Sequence, residues 1–185
     1  MEKEIFRGNV LDIGLENYGI VYNIYKEYND KVNVEYVNGK EEQEKIKENF
    51  YDSCIMLFSF SSLWFKKDKK KFIRDIYRYL AKDGLLYIWD IDKGYRKIFN
   101  SVIKILAPGR KLKKIKIKDL NIFKDSSREN SVKLLEEYFE ILDLKASDGI
   151  YYIKAKKKSL VQQCTEDKRN EKGIEEKDES CVNSA

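Results

Sequence analysis

The chain has 185 residues, 42% of them hydrophobic, and its 37 basic and 32 acidic side chains leave a formal net charge of +5. This size and apolar content suit one domain with its own core, and the sequence excludes both a membrane-spanning run of roughly 18 apolar residues and a strongly basic DNA-binding composition. Histidine is absent, which removes the commonest zinc ligand and the commonest general base, so we expect no metal site.

The first elements alternate between strands and helices. A buried strand is predicted at Val10–Ile13, where it stops at Gly14, and a helix is predicted over Tyr18–Tyr28 from apolar residues at helical spacing. A second strand is predicted at Val32–Val37. The charged segment Lys40–Asn49 has no partner strand and favours a helix.

The middle of the chain repeats this alternation. Ser53–Phe58 is an apolar strand of the kind found inside parallel sheets, and a helix is predicted from about Asp68 to Leu80. A further buried strand is predicted at Leu85–Ile91. Alternating strands and helices indicate parallel βαβ units. The helix has a predicted inner face of Phe72, Ile73, Ile76, Tyr77 and Leu80.

From Lys93 the pattern changes. The alternation over Lys114–Lys118 predicts a half-exposed strand, and Ser126–Glu129 resembles a helix cap, with the helix expected to continue through Phe139. The segments 141–144 and 150–153 predict a closing antiparallel pair. We therefore expect one α/β domain over residues 1–156, interrupted by an insert at 93–125 and followed by a disordered polar tail at 157–185.

Three segments together carry a resemblance: Val10–Gly14, Tyr51–Ile55 and Ile76–Ile88. In their order and spacing they resemble class I S-adenosylmethionine-dependent methyltransferases. In that family a strand ends in an acidic-x-Gly-x-Gly loop, a later strand opens with aromatic-Asp, and a helix ends in leucine, turn and glycine. The resemblance covers residues 5 to 155. It implies a doubly wound, mostly parallel Rossmann-like sheet of about six strands with a closing antiparallel pair, because the family's third strand finds no room after Gly39.

The first loop departs from the family pattern. By resemblance, Asp12 and Gly14 hold the methionine part of S-adenosylmethionine. Glu16 and Tyr18 stand where the family usually has glycine, whose lack of a side chain lets a ligand reach the backbone amides. These two side chains crowd that approach, although Glu16 also attracts the ammonium or sulfonium group of the cofactor. The alternative is a plain strand-to-helix turn without a ligand.

Other cofactor contacts are implied at two strand ends. Asn38 takes the place of the acidic residue that accepts the ribose hydroxyls in the family, and it bonds them without charge assistance. The alternative is that Asn38 serves only the turn with Gly39. Phe58 and Ser59 follow the strand after which the family places residues near the sulfonium and the substrate.

The catalytic candidates are Asp90, Asp92 and Tyr95, because open α/β sheets bind ligands at the carboxyl ends of their strands. Asp90 or Asp92 either acts as a base or holds an amine. The alternative is a pair of solvated turn carboxylates.

Two basic clusters, Lys66–Lys71 and Arg110–Lys118, allow two interpretations. They contact RNA phosphates or an acidic protein, or they are a solvated helix start and the outer face of an edge strand. Lysine runs are usually surface, which favours the second interpretation.

The resemblance implies transfer of a methyl group from S-adenosylmethionine to an acceptor, for which we expect a small molecule, recognised by the insert at 93–125. Three cysteines without metal-ligand spacing indicate a cytoplasmic location, and we expect no membrane partner. The oligomeric state is left open. The alternative function is an inactive methyltransferase fold that acts as a binding or interaction module, which the residues at Glu16, Tyr18 and Asn38 favour.

Overall fold

The computed structural model describes residues 6, 8–14, 21–23, 33–38, 46–106 and 112–159. The helices among these residues are α1 (Lys66–Tyr79) and α2 (Arg128–Leu135), and residues 21–23 form a further helical turn. The strands are β1 (Asn9–Gly14), β2 (Asn33–Asn38), β3 (Tyr51–Leu57), β4 (Leu80–Ile91), β5 (Phe99–Leu106), β6 (Leu112–Asp119), β7 (Phe139–Ser147) and β8 (Ile150–Lys157).

Six strands form the main sheet in the order β2-β1-β3-β4-β8-β7. The pairs from β2 to β4 are parallel, and β8 joins β4 and β7 antiparallel. This confirms the predicted fold class, including the strand number and the closing antiparallel pair. The carboxyl ends of β1, β2, β3 and β4 meet at one edge of the sheet, as parallel pairing requires.

Both faces of the sheet are covered. Along β4, Leu86 and Ile88 belong to one apolar cluster, and Tyr87 and Trp89 belong to another. Successive side chains of a strand point to opposite faces, so a continuous apolar run fills a core on each side. The first cluster also holds the inner face of α1, where apolar residues recur at helical spacing.

The insert contains an antiparallel pair of its own. Strands β5 and β6 form a separate two-stranded sheet. The predicted alternation is present, since Ile115 and Ile117 are half-buried whereas Lys114, Lys116 and Lys118 are exposed. Ile115 packs on the second apolar cluster, which fastens the hairpin to the main sheet.

Two boundaries differ from prediction. Helix α2 ends at Leu135, and Phe139 begins β7, because the Tyr138 N–H donates to the Leu135 carbonyl and closes a turn before the chain joins the sheet. Residues 46–49 are not helical. Asn49 has a φ of 50° and its N–H donates to the Arg78 carbonyl, which turns the chain into β3.

Strand β4 begins before its predicted first residue, Leu85. The strand begins at Leu80, which pairs with Tyr51, but pairing resumes only at Leu85 with Ser53. Asp83 in between has a φ of 62°, as expected of a turn. This turn therefore interrupts the ladder, while the strand extends to both sides of it.

Candidate functional site

At the end of β1, Asp12 is fully buried. Its Oδ2 accepts a hydrogen bond from the Tyr22 N–H at 3.0 Å, in the helical turn formed by residues 21–23. A carboxylate that accepts the N–H of a helical turn ties the strand end to that turn. The connection between them, residues 15–20, contains Glu16 and Tyr18 and lies outside the described residues.

The ends of β1 and β2 lie side by side. Gly14 and Asn38 are partners in the parallel register of the two strands. The structure therefore brings together two of the residues to which the resemblance assigned cofactor contacts. The side chain of Asn38 lies outside the described part of the chain, so its predicted role remains a prediction.

The backbone at the end of β3 has an unusual conformation. Phe58 has a φ of 55°, and its N–H donates to the Trp89 carbonyl at 2.8 Å. The left-handed region costs a residue other than glycine roughly 1–2 kcal/mol. The Ser59 side chain is buried and donates to the Leu57 carbonyl at 3.1 Å. The loop after β3 is thus held in a single strained turn, and its half-buried Phe58 ring packs on the second apolar cluster.

A cleft of about 380 Å³ adjoins this turn. It lies between the loop after β3, the end of β4, and β6 with the segment that follows it. This volume is in the range of small-molecule sites. Its lining combines apolar side chains with hydroxyl, amide and charged groups: Leu57, Phe58, Ser61, Ser62, Ile91, Ile115, Lys116, Ile117, Lys118, Asp119, Leu120, Asn121 and Lys124.

Asp90 is fully buried near the end of β4, so its interpretation as a solvated turn carboxylate is wrong. The strand continues through Ile91 and carries Asp90 inside the fold. Its Oδ2 accepts the Ser61 N–H at 2.8 Å and its Oδ1 accepts the Ile91 N–H at 2.7 Å. Burial raises the pKa of Asp90, although these hydrogen bonds and the charge of Lys69 oppose the rise. Asp90 is absent from the cleft lining and instead fixes the loop that forms one wall.

Lys69 is the exception in the first basic cluster. Lys66, Lys67, Lys70 and Lys71 are exposed, as a solvated helix start predicts, but Lys69 is only 3% exposed. Its ammonium donates to the Asp125 carbonyl at 3.2 Å and lies 5.1 Å from the centre of the Phe60 ring. Burial lowers the pKa of Lys69, and the nearby Asp90 carboxylate opposes that effect.

Helical periodicity alone would have predicted that Lys69 is buried. Lys69 precedes Phe72 and Ile73 by three and four residues, so it occupies the buried face of α1. Its burial was not predicted, because a cluster of lysines is usually exposed.

Asp92 and Tyr95 do not join Asp90 in one catalytic group. The Oδ1 of Asp92 accepts the Arg128 N–H at 3.0 Å at the start of α2, where a helix favours negative charge. Its Oδ2 lies 3.7 Å from the Arg128 guanidinium, so the carboxylate is engaged in holding the helix. Tyr95 is exposed and does not line the cleft.

Residues of the insert form a buried ionic group that was not predicted from the sequence. The Lys93 ammonium is 3.3 Å from Asp119 Oδ1 and 2.5 Å from the Asn121 carbonyl, and Lys124 is 2.8 Å from Asp119 Oδ2. Burial raises the pKa of Asp119, but Lys124, the Asn121 N–H and Lys93 outweigh it and lower that pKa overall. These contacts fix the segment after β6, and with it one wall of the cleft. Single charged residues far apart in sequence carry no periodic signal that would join them.

Within the described ranges, no three potential ligands are grouped in a way that would hold a metal ion. The same residues include no helix with the length and apolar content needed to cross a membrane.

Comparisons with known proteins agree with this architecture. A family model described as a methyltransferase domain matches residues 10–88. No curated protein matches the chain in sequence. In structure the chain is similar to a protein from Pyrococcus horikoshii OT3, with 16% identity and a TM-score of 0.53 over 83% of this chain and 84% of that one.

Two further solved structures are similar to the chain. One is 1,6-didemethyltoxoflavin-N1-methyltransferase from Burkholderia thailandensis, bound to 1,6-didemethyltoxoflavin and S-adenosylhomocysteine, at 13% identity and TM-score 0.52 over 83% of this chain and 72% of that one. The other is an S-adenosylmethionine-dependent methyltransferase from Methanosarcina mazei, at 14% identity and TM-score 0.52 over 80% and 92%. Residues 10–88 therefore match a methyltransferase domain, and the chain shares its fold with these solved structures, as the resemblance implied.

Proposed function

We propose that this protein transfers a methyl group from S-adenosylmethionine to a small molecule held in the 380 Å³ cleft. The observation that carries the proposal is the position of this cleft. It opens at the carboxyl edge of the parallel strands and is lined by Phe58, the residue that the resemblance assigned to the neighbourhood of the sulfonium. Ligands of open α/β sheets bind at this edge.

The residues present suit the cofactor. Asp12 and Gly14 end β1 beside Asn38 at the end of β2, which suits a ligand whose methionine part and ribose lie across the two strand ends. Phe58 follows the end of β3 and lines the cleft, and the buried Ser59 comes directly after it. When bound there, S-adenosylmethionine supplies an electrophilic methyl group on a sulfonium leaving group, and the enzyme's task is mainly to align the acceptor.

The chain's own residues supply that alignment. The buried Asp90 carboxylate holds the Ser61 N–H, and the Lys93–Asp119–Lys124 group holds the segment after β6. Both walls of the cleft are therefore set by buried charged contacts, which resist displacement by a ligand. We assign acceptor recognition to the insert at 93–125, because β6 and the segment after it form one of these walls.

The cofactor claim is tested by calorimetric titration of the full chain with S-adenosylhomocysteine. We expect saturable binding with a dissociation constant of micromolar order, and weaker binding by the Asp12→Asn variant, which keeps an acceptor for the Tyr22 N–H but loses the charge. The Asp143→Asn variant is the matched control, because Asp143 lies on the distant edge strand β7. A full chain that binds no S-adenosylhomocysteine would reject the enzyme and support the alternative of an inactive interaction module.

Contact of the 110–118 segment with RNA or an acidic protein is a separate proposal. The exposed Lys114, Lys116 and Lys118 side chains on β6 support it. The test is the salt dependence of binding to an RNA oligonucleotide, because phosphate contacts weaken steeply with salt. Absence of binding at low salt would reject it.

A further inference from the structure

Several large apolar side chains near the start of α1 and in the insert are exposed. Their exposed fractions range from 42% at Ile122 to 81% at Phe123, with Trp64 at 65%. Exposed apolar residues are ordinary when scattered singly, but a contiguous group marks an interaction site. We call the following group the aromatic face: Trp64, Phe65, Tyr95, Ile98, Ile122 and Phe123.

Three segments carry this group, and hydrogen bonds hold them near one another. Helix α1, which follows Trp64 and Phe65, is linked to residue 125, because the Lys69 ammonium donates to the Asp125 carbonyl at 3.2 Å. The Arg96 N–H donates to the Ile122 carbonyl at 2.8 Å. The start of α1 and the segment 95–98 are therefore both fastened to residues 122–125, although the sequence separates residues 64 and 123 by about 60 residues.

Basic side chains border the aromatic face. The exposed residues of the first turns of α1 that follow Phe65 are Lys66, Lys67, Lys70 and Lys71, with Asp68 as the single acidic residue among them. Lys70 is paired with Glu137, whereas among the described residues Lys66, Lys67 and Lys71 have no ion pair. Within the face itself, exposed Arg96 and Lys97 lie between Tyr95 and Ile98. The surface thus combines exposed rings with an excess of unpaired positive charge.

We propose that the aromatic face docks the protein on the surface of an anionic lipid bilayer. Tryptophan, phenylalanine and isoleucine side chains enter the boundary between headgroups and acyl chains, while lysine and arginine remain among anionic headgroups. A second copy of the chain fits less well, since it would bring two basic borders together. This contact is peripheral and does not need a spanning helix, but it departs from the sequence-based expectation of no membrane partner.

The docked position has a consequence for the cleft. Leu120 and Asn121 line the cleft and directly precede Ile122 of the aromatic face. A bilayer that contacts the face therefore lies next to the cleft opening.

The first test uses fluorescence of the full chain in a Trp89→Phe background, which leaves Trp64 as the only indole. Trp89 is buried and Trp64 exposed, so the remaining emission reports the face alone. We expect a blue shift and co-sedimentation with mixed phosphatidylglycerol–phosphatidylcholine vesicles, both reduced by added salt. Absence of both at low salt overturns the proposal, as does equal binding to pure phosphatidylcholine vesicles.

The second test separates the rings from the charge. In the otherwise native chain, Trp64→Ser with Phe65→Ser should lower vesicle affinity at least tenfold, and serine suits the helix N-cap that Phe65 occupies, so α1 should be retained. Lys66→Gln should lower it about fivefold, since a lysine near an anionic surface contributes about that factor. The matched control is Leu142→Ser with Leu144→Ser, which removes two exposed apolar residues from β7.

The control pair should bind vesicles like the native chain, and equal loss in the control would overturn the assignment to this face. The proposal is also overturned if the native chain does not bind vesicles but binds oligouridylate, and the Trp64 and Phe65 substitutions abolish that binding. It is equally overturned if the native chain does not bind vesicles but dimerises in sedimentation, and the same substitutions abolish the dimer. Cofactor titration is independent of all these outcomes, because no residue of the aromatic face was assigned to the cofactor.

Discussion

Asp12 and Asp90 are similar residues in similar positions with different surroundings. Each carboxylate is fully buried near the carboxyl end of a strand in the parallel part of the sheet, with β3 lying between the two strands. Each accepts a backbone N–H from another segment, Tyr22 at 3.0 Å for Asp12 and Ser61 at 2.8 Å for Asp90. In both cases, a buried carboxylate that accepts a backbone N–H fixes the segment beside the candidate site.

The neighbours of Asp90 make it the more structural of the two. Lys69 supplies a buried positive charge nearby, and the Tyr151 hydroxyl is 2.9 Å from Ser131 Oγ. Burial and the charge of Asp90 raise the pKa of Tyr151, which keeps its hydroxyl neutral. The Asp90 end of the edge is therefore closed by buried polar contacts, whereas the Asp12 end is where the resemblance assigns the cofactor. Identical residue types at one sheet edge need not share a role.

The largest expected effects come from removing each carboxylate, which tests the difference between Asp12 and Asp90. We expect Asp90→Ala to lower the free energy of unfolding by about 3–5 kcal/mol, because the Ser61 N–H loses its acceptor and the buried Lys69 ammonium loses a nearby negative charge. Asp12→Ala should lower it by about 1–3 kcal/mol, because the half-buried Tyr22 N–H loses this acceptor. Urea unfolding measures both, with Asp143→Ala on the edge strand β7 as a half-exposed control. Equal losses at Asp12 and Asp90 would remove the distinction drawn between them.

The role of Lys69 can be measured by a double-mutant cycle with Asp90. Lys69→Met retains the length and apolar stem of the side chain but leaves Asp90 without a nearby positive charge. We expect the loss of stability in Lys69→Met to shrink in the Asp90→Asn background, with a coupling of about 1–3 kcal/mol. Additive losses, measured by the same urea unfolding, would mean that the two groups do not interact.

The strained turn after β3 offers a matched pair of substitutions at Phe58. Phe58→Ala and Phe58→Gly both remove the ring, but only glycine adopts a φ of 55° without strain. The glycine variant should therefore be more stable than the alanine variant by about 1 kcal/mol. Thermal unfolding of both decides this, and a more stable alanine variant would contradict the conformation. Both should bind S-adenosylhomocysteine more weakly than the native chain if Phe58 contacts the cofactor.

Asp90 should also make the stability of the folded chain depend on pH. Its pKa is raised in the folded state above the ordinary 3.8, so the folded chain binds this proton more tightly than the unfolded chain. The corresponding stability is fully present below pH 3.8 and is lost as the pH rises through the folded-state pKa. The difference in unfolding free energy between the native chain and Asp90→Asn should thus move in favour of the native chain on acidification, by about 1.4 kcal/mol per unit of pKa elevation at most. A constant difference between neutral pH and pH 4 would contradict the raised pKa.

The regular strands and helices were predictable from the sequence, whereas the ends of some of these elements were not. Apolar periodicity predicted β3, α1 and the closing pair because each buries a continuous face. It extended α2 through Phe139 because an apolar residue suits a helix or a strand equally, and only pairing with Lys157 makes Phe139 the start of β7. The segment at 46–49 was predicted as helix from its charge, but its backbone bonds to α1 instead.

By itself, the sequence determined the fold class, the alternation of strands and helices along the chain and the residues at the carboxyl edge, because these follow from local periodicity and from motifs in fixed order. Only the tertiary structure decided what those residues do there. It buried Asp90 and Lys69, engaged Asp92 at α2, and linked α1 to the end of the insert through Lys69 and Asp125. Such outcomes depend on contacts between residues far apart in the chain, where burial and neighbouring charge, rather than residue type, set the chemistry of a side chain.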